Sequence, residues 1–216
     1  MNAEVLFLIY GFVLICGACL TVWRYRMLRP RHLRMLLLLF AVTAIVEFTA
    51  RYILVHPNHW WYNLFLPMEY LLFAGLYYFD FTSRGKQHIV LYGSAALVLF
   101  SVVNMLWLQG FEYFNTYTIM ASGTLILIWI FMYFQELLQR EEPTPLLRQP
   151  MFWISSGLLI FYLGNIFVAG TINYFIREDM EVAVLLLQFI KLLNIFTFSL
   201  FIVALLCQKP PERYLS

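Results

Sequence analysis

The sequence predicts an all-α protein, a polytopic bundle of seven transmembrane helices. Three observations lead to this prediction: 62% of the 216 residues are hydrophobic, only 12% are charged, and the apolar residues fall into seven long runs. A soluble domain carries about 25% charged residues, whereas a bilayer solvates the apolar surface that such a domain would have to bury. Short connections between the runs leave no room for a separate soluble domain. Residues 1–216 are therefore expected to form a single integral membrane domain.

Each apolar run is long enough to cross a bilayer as a helix. At a rise of 1.5 Å per residue, about 20 residues span a hydrocarbon core of ~30 Å. The third and fifth runs have the least length to spare, and the last is long enough to tilt. The seven runs are Ala3–Trp23, Met35–Val55, Leu64–Phe81, Ile89–Leu108, Tyr117–Phe134, Met151–Asn173 and Val182–Cys207.

The distribution of lysine and arginine predicts the orientation of the bundle. Basic residues are enriched in cytoplasmic loops. Only Arg177 falls on one side, Arg51 and Lys191 lie inside runs, and the other eleven fall on the opposite side. The eleven are Arg24, Arg26, Arg29, Arg31, Arg34, Arg84, Lys86, Arg140, Arg148, Lys209 and Arg213. This bias predicts an outside N-terminus and a cytoplasmic C-terminus.

Apart from Glu4 and Asp80, which lie at the ends of their runs, four charged residues lie inside the predicted spans: Glu47 and Arg51 on the second, Glu69 on the third and Lys191 on the seventh. Each costs about 2.5–3.5 kcal/mol at the centre of a membrane helix. Such residues are therefore expected to be paired, hydrated or neutralised. Counting the rise per residue from the outer helix ends places Glu47 level with Lys191, and Arg51 level with Glu69. The sequence thus predicts two pairs of opposite charge in the outer half of the bundle.

Polar residues on the last two spans are expected to join these charges. Gln188 and Asn194 lie three residues either side of Lys191, close to one helical face, and Tyr162 and Asn165 share a stripe of the sixth span. The cluster has two interpretations, which do not exclude each other. It is either a satisfied network that fixes helix order, in which Glu47 could also pair with Arg51 one turn away, or a pocket open to the outside that holds a small ligand, an ion or a proton.

Several chemistries lack the residues they need. The four histidines (His32, His56, His59 and His88) do not lie deep in any span, so no metal site is predicted. No Ser/His/Asp set and no phosphate-binding glycine loop falls within the spans, and no catalytic residue is predicted. A retinal lysine is not indicated either, because position 187 is leucine where microbial rhodopsins have aspartate. No cofactor is expected, and no basic patch with exposed aromatic residues suggests nucleic-acid binding.

Short motifs along the whole chain give it a family resemblance. They are Glu47-x-x-x-Arg51-Tyr52, Pro67-Met68-Glu69-Tyr70, Phe152-Trp153-Ile154, Gly164-Asn165 and Lys191-x-x-Asn194-Ile195. In these motifs the chain resembles a group of small bacterial seven-helix integral membrane proteins that have no assigned activity. The resemblance implies a multi-pass protein of a bacterial inner membrane and implies nothing about mechanism.

The sequence favours a non-enzymatic membrane sensor or signalling accessory. An outward-facing polar site would bias helix packing, and the loop Arg24–Arg34 or the loop Gln135–Pro150 would pass the change to a cytoplasmic or membrane partner. The alternative is a transporter or proton-coupled carrier that uses the intramembrane charges as a relay. An intramembrane hydrolase with Glu47 or Glu69 as its acid or base is a third hypothesis.

Overall fold

Seven long helices make up the part of the chain that the structure describes. The computed structural model describes residues 3–28, 31–54, 58–139 and 145–207, and no strand occurs among them. The helices are α1 (Ala3–Arg24), α2 (Met35–Tyr52), α3 (His59–Asp80), α4 (Arg84–Val103), α5 (Thr116–Leu138), α6 (Pro150–Glu178) and α7 (Met180–Leu206). Each predicted apolar run coincides with one helix, so the all-α fold class is confirmed. Six of the helices are long and apolar enough to cross a membrane, and α3 is the exception.

Helix α3 differs from the others in composition rather than in length. Its 22 residues rise ~33 Å, enough to cross a bilayer. It begins at His59, five residues before the predicted start at Leu64, because the segment Trp60–Asn63 is helical rather than a boundary loop. That aromatic and polar segment, together with Glu69, lowers its mean hydropathy. The helix nevertheless packs against α2, α4 and α5 as an integral part of the bundle.

The helices run alternately up and down, and each packs against its neighbours in sequence. Contacts between α1 and α7 close the ring, and α3 also contacts α5. We call the end where α1, α3, α5 and α7 begin the upper end, and the opposite end the lower end. Long-range contacts agree with this arrangement. Glu4 meets Arg51 at the upper end, and Lys86 meets Glu136 at the lower end.

The lower half of the bundle has a close-packed aromatic core. The rings of Phe40, Phe198 and Phe201 contact one another across α2 and α7. Phe40 lies directly against the backbone of Gly17 on α1, and any side chain at that position would overlap its ring. Close approach of backbones is a main source of helix association in lipid. Gly17 therefore sets the spacing of α1 and α2 at this level.

At the upper end, the loop of residues 109–115 is fixed to the bundle. Helix α4 continues as the π-helical segment Asn104–Leu108, and Gly110, at φ 74°, then turns the chain. The amide of Asn63 on α3 donates to the Tyr113 carbonyl at 2.8 Å, and its oxygen accepts from the Asn115 backbone N–H at 3.0 Å. Asn63 is fully buried, so these bonds satisfy a side chain that would otherwise be costly to bury.

At the lower end, the connection between α1 and α2 packs back onto the bundle. Leu28 and Leu33 are buried in the main core. The Arg24 guanidinium donates to the Leu205 carbonyl near the end of α7, which joins the lower ends of α1 and α7. Among the basic residues predicted to lie on this side, Arg29, Arg140, Lys209 and Arg213 fall outside the described residues.

Candidate functional site

An ion pair within the upper half of the bundle joins α2 to α7. The Lys191 ammonium donates to Glu47 Oε2 at 2.7 Å, and the two side chains are 23% and 12% exposed. The pair closes a contact 144 residues apart in the chain. The predicted match in depth between these two residues is confirmed. At this distance the bond is a charge-assisted hydrogen bond, which is stronger than one between neutral groups.

Aromatic rings of α1 enclose the lysine. The Lys191 nitrogen lies 4.7 Å from the ring centre of Tyr10 and 5.7 Å from that of Phe7. Both distances fall within the range of cation–π attraction. Tyr10 is only 1% exposed, so its ring shields this side of the ion pair from solvent and lipid. Three helices, α1, α2 and α7, therefore meet at Lys191.

Helix α3 brings a phenol and a second carboxylate to the same place. The Tyr62 phenol interacts electrostatically with the Glu47 carboxylate. Glu69, seven residues later on nearly the same face of α3, interacts electrostatically with Glu47 and with Tyr10. We call Glu47, Lys191, Glu69, Tyr10 and Tyr62 the Glu47 cluster. It contains two carboxylates and one ammonium group.

The predicted partner of Glu69 is not beside it. Arg51 contacts Glu4 instead. The described residues offer Glu69 no hydrogen bond or ion pair, and the side chain is half-buried.

Arg51 lies outside the cluster. Its guanidinium is 3.7 Å from the Glu4 carboxylate, and both side chains are largely exposed. The predicted Arg51–Glu69 pair is therefore not formed, and neither is the alternative pair between Glu47 and Arg51. The guanidinium also lies 5.6 Å from the ring centre of Phe7, whose ring is shared with Lys191. Arg51 therefore lies at the surface of the upper end and not in the Glu47 cluster.

The remaining predicted residues surround the cluster without entering its hydrogen bonds. On α6, Tyr162 is 4% and Asn165 is 8% exposed, and Tyr162 interacts electrostatically with Glu69. On α7, Gln188 and Asn194 are half-buried. In the described parts of the chain, none of these four side chains has a hydrogen-bond partner.

Sequence reasoning missed Tyr10, Phe7 and Tyr62. A tyrosine or phenylalanine in a membrane span is usually part of the core or of an interfacial belt, and these three match that pattern in the sequence. One signal was present for Tyr62. It lies two helical turns before Glu69, and a helix beginning at His59 places both on one face. No pattern in the sequence distinguishes Tyr10 or Phe7 from other aromatic residues of α1.

A second acid–base pair lies at the lower end. Glu136 accepts hydrogen bonds from the Thr82 hydroxyl at 2.8 Å and from the Lys86 ammonium at 3.0 Å. Lys86 also donates to the Met132 carbonyl at 3.2 Å. We call Glu136, Lys86 and Thr82 the Glu136 cluster. It contains one carboxylate and one ammonium group, and both have several partners.

The geometry of the Glu47 cluster limits its chemistry. The described residues contain no group of three His, Cys, Asp or Glu side chains that could hold a metal ion. The cluster offers a fixed ion pair, an uncompensated carboxylate and several phenol groups. These groups can bind a polar or cationic molecule or a proton.

Comparisons of the chain with protein-family models, with curated proteins and with solved structures found no match.

Proposed function

We propose that this protein is a non-enzymatic sensor or signalling accessory of a bacterial inner membrane. The carrying observation is the Glu47–Lys191 ion pair, which joins α2 to α7 beside a carboxylate that has no counter-charge. A ligand that binds one member of the cluster changes the forces that hold these helices together. The protein thus gains two packing states with different affinity for the ligand, which is what a sensor needs.

The proposed topology places the Glu47 cluster in the outer leaflet. All seven helices, including α3, cross the membrane, with the upper end outside and the lower end in the cytoplasm. The basic residues of the lower end support this orientation through the positive-inside rule. The six apolar helices and the packing of α3 among its neighbours support the number of spans.

A mechanical connection links the cluster to the lower end. Helix α7 carries Lys191 and, fourteen residues or ~21 Å further along, the Leu205 carbonyl that accepts from Arg24. Helix α1 carries both Arg24 and Tyr10, whose ring contacts Lys191. The pair of helices is therefore tied at both levels. A shift of α7 at Lys191 would reach the lower-end connection between α1 and α2, where a partner would read it.

Site-specific photo-crosslinking in cells tests the proposal. A photoreactive amino acid would replace Arg26 or Leu147, which are exposed at the lower end, and Phe111 of the upper loop would serve as the control position. We expect a discrete crosslinked protein from Arg26 or Leu147 and none from Phe111. The yield should change when Glu47→Gln and Lys191→Met are combined. This double variant removes both charges of the ion pair together.

Two results would contradict a sensor. One is the absence of any discrete crosslink from both lower-end positions. The other is a crosslink whose yield is the same in the parent and in the double variant.

A proton-coupled carrier is the second candidate, and the unpaired carboxylate of Glu69 favours it. A half-buried carboxylate between helices is a suitable proton-binding group. This function predicts substrate flux in proteoliposomes that Glu47→Gln or Lys191→Met abolishes. A proton leak that is identical in the parent and in Glu69→Gln, with no flux across a broad substrate panel, would exclude it.

A further inference from the structure

The lower end of the bundle has an open groove between the last turn of α1 and the beginning of α2. Its volume is about 510 Å³, which lies within the range of roughly 300–1,000 Å³ that is common for small-molecule sites. The residues that line it are Val22, Trp23, Tyr25, Arg26, Met27 and Leu37. Of these six, Arg26 is the one charged residue, and the others are apolar or aromatic.

The α1 side of the groove is an apolar wall that faces outward. Val22 and Trp23 lie in the last turn of α1 and are 60% and 73% exposed. Tryptophan is enriched where a membrane meets water, at the level of the lipid headgroups. In the proposed transmembrane topology, this wall therefore contacts acyl chains just below a layer of headgroups.

Two guanidinium groups lie at the groove. Arg26 lines it, is exposed, and has no hydrogen bond or ion pair within the described chain. Arg34 lies beside it, because its guanidinium is 4.7 Å from the ring centre of Tyr25. The Arg34 Nε atom is buried and has no hydrogen-bond partner among the described residues. A buried donor without a partner costs free energy, and an accepting group bound beside it would offset that cost.

The acidic residues of α1 and α2 do not offset these positive charges. The only acid of α1 is Glu4 and the only acid of α2 is Glu47, and both lie toward the upper end. Residues 23–37 include five arginines and no aspartate or glutamate. Asp80 of α3 reaches the lower end but lies 3.6 Å from His32. The charge around the groove therefore favours an anion over a cation.

The groove is held in place by the core. Leu28, which directly follows Met27, and Leu33, which directly precedes Arg34, are both buried in the main core. Arg24 fixes the end of α1 by donating to the Leu205 carbonyl of α7. Because the chain on both sides of the groove is anchored, binding requires little ordering of the protein.

Arginine beside an exposed apolar wall suits a lipid better than a soluble anion. A soluble anion would satisfy the guanidinium groups but would leave Val22 and Trp23 exposed. A phospholipid carries an accepting phosphate and an apolar chain in one molecule, so it covers both surfaces. Basic pockets between membrane helices are a known type of site for anionic headgroups.

We propose that this groove binds an anionic phospholipid. The headgroup phosphate accepts hydrogen bonds from the Arg26 and Arg34 guanidinium groups, whose planar arrangement of donors matches a phosphate. The first part of an acyl chain packs against Val22, Trp23 and Leu37, and the rest lies in the bilayer because the groove is open. This inference goes beyond the proposed sensor function and uses only its transmembrane topology.

Native mass spectrometry of the full chain in detergent tests the site, because it counts the lipid molecules that stay bound. The probes are phosphatidylglycerol and phosphatidylcholine with the same two acyl chains, so that only the headgroup differs. We expect one phosphatidylglycerol to bind in a saturable manner. Phosphatidylcholine should bind about threefold or more weakly, because its choline ammonium lies near two arginines.

Variants assign the binding to the groove. Arg26→Gln should weaken phosphatidylglycerol binding about tenfold, because it removes a charge-assisted hydrogen bond. Val22→Trp keeps every charge but fills part of the groove from an exposed position, and it should also weaken binding. Arg148→Gln is the matched control, because Arg148 is an exposed arginine of the lower end outside the groove, and it should bind as the parent does.

Three outcomes would overturn the proposal. The first is equal affinity for phosphatidylglycerol and phosphatidylcholine, which would mean that the groove does not select a negative charge. The second is an equal loss in Arg26→Gln and Arg148→Gln, which would show that the charge of the lower end attracts lipid without a specific site. The third is unchanged binding in Val22→Trp or full displacement by sn-glycerol 3-phosphate, either of which would exclude an acyl chain from the groove.

Crosslinking at Leu147 separates this inference from the sensor function, because Leu147 lies outside the groove. Selective binding of phosphatidylglycerol without any lower-end crosslink would contradict the sensor and leave the lipid site standing. A crosslink from Leu147 that depends on the Glu47–Lys191 pair, in a protein that binds both lipids alike, would contradict the lipid site alone.

Discussion

The two acid–base pairs of the molecule are alike in chemistry but different in their surroundings. Glu47–Lys191 and Glu136–Lys86 have N···O distances of 2.7 and 3.0 Å, and each joins two helices. At the lower end, the Glu136 carboxylate also accepts from the Thr82 hydroxyl, and the Lys86 ammonium also donates to the Met132 carbonyl. At the upper end, Glu69 adds a second carboxylate that nothing in the described chain neutralises.

The difference shows how a structural network is distinguished from a candidate binding site. A network whose only role is to hold helices together gains stability by satisfying every group. Unsatisfied groups cost stability, and proteins commonly retain such a cost where function needs it. The Glu136 cluster fits the first description, and the Glu47 cluster fits the second. Four substitutions would break or sharpen this comparison.

Lys191→Met should have the largest effect on stability. It leaves two carboxylates near each other with no cation, and removing one partner of a buried pair costs about 3–5 kcal/mol. Unfolding in detergent would measure the loss. Adding Glu47→Gln should recover most of it, and a double variant as unstable as Lys191→Met would show that the lysine contributes by packing.

Gly17→Ala should have the next largest effect and concerns the apolar core of the lower half. The added methyl group overlaps the Phe40 ring, and such overpacking typically costs about 1–3 kcal/mol. Gly170→Ala on α6 is the matched control, because an added methyl group there meets no atom within 4 Å. A gain of up to about 1 kcal/mol is expected for the control from helix propensity. Equal unfolding temperatures for both variants would contradict the close approach of α1 and α2.

Glu136→Gln should destabilise the protein by about 1–2 kcal/mol, because it weakens the hydrogen bonds that the Glu136 carboxylate accepts from the Thr82 hydroxyl and the Lys86 ammonium. The measurement is again the unfolding temperature in detergent, with the exposed Glu112→Gln as the control for losing a carboxylate. If Glu136→Gln were more stable than the parent, the Glu136 cluster would not be the satisfied network described above.

Glu69→Gln should have the smallest effect, and its sign is the point of interest. It replaces a carboxyl group that has no hydrogen-bond or ion-pair partner in the described chain, so the folded protein should be unchanged or more stable by up to about 1 kcal/mol. A loss as large as that of Lys191→Met would mean that Glu69 is a necessary part of the ion-pair network. Comparing it with Glu136→Gln then tests the difference between the clusters directly.

The sequence predicted the helices and one ion pair, because both follow from one-dimensional spacing. Apolar runs located all seven helices, and counting rise per residue placed Glu47 level with Lys191. The same counting placed Glu69 level with Arg51, but Arg51 pairs with Glu4 instead. Arg51 is largely exposed where it contacts Glu4, and the spacing of residues along the chain does not show how exposed a side chain will be. The contact between Tyr10 and Lys191 depends on the packing of α1 against α7, and no local sequence pattern predicts that packing.

The connection between α6 and α7 has a consequence for how the protein is made. Asp179 is the single residue between them, and its carboxylate accepts from the backbone N–H groups of Glu181 and Val182 to start α7 at once. The two helices rise ~43 and ~40 Å, so in the proposed topology the charged residues at their junction would extend past the hydrocarbon. Because no loop separates the two helices, α6 cannot insert fully while α7 stays in water. We therefore expect α6 and α7 to enter the bilayer together as one hairpin. Lys191 would then pack against α6 before α1 and α2 pack against α7. The ion pair between Lys191 and Glu47 would form only in that later step.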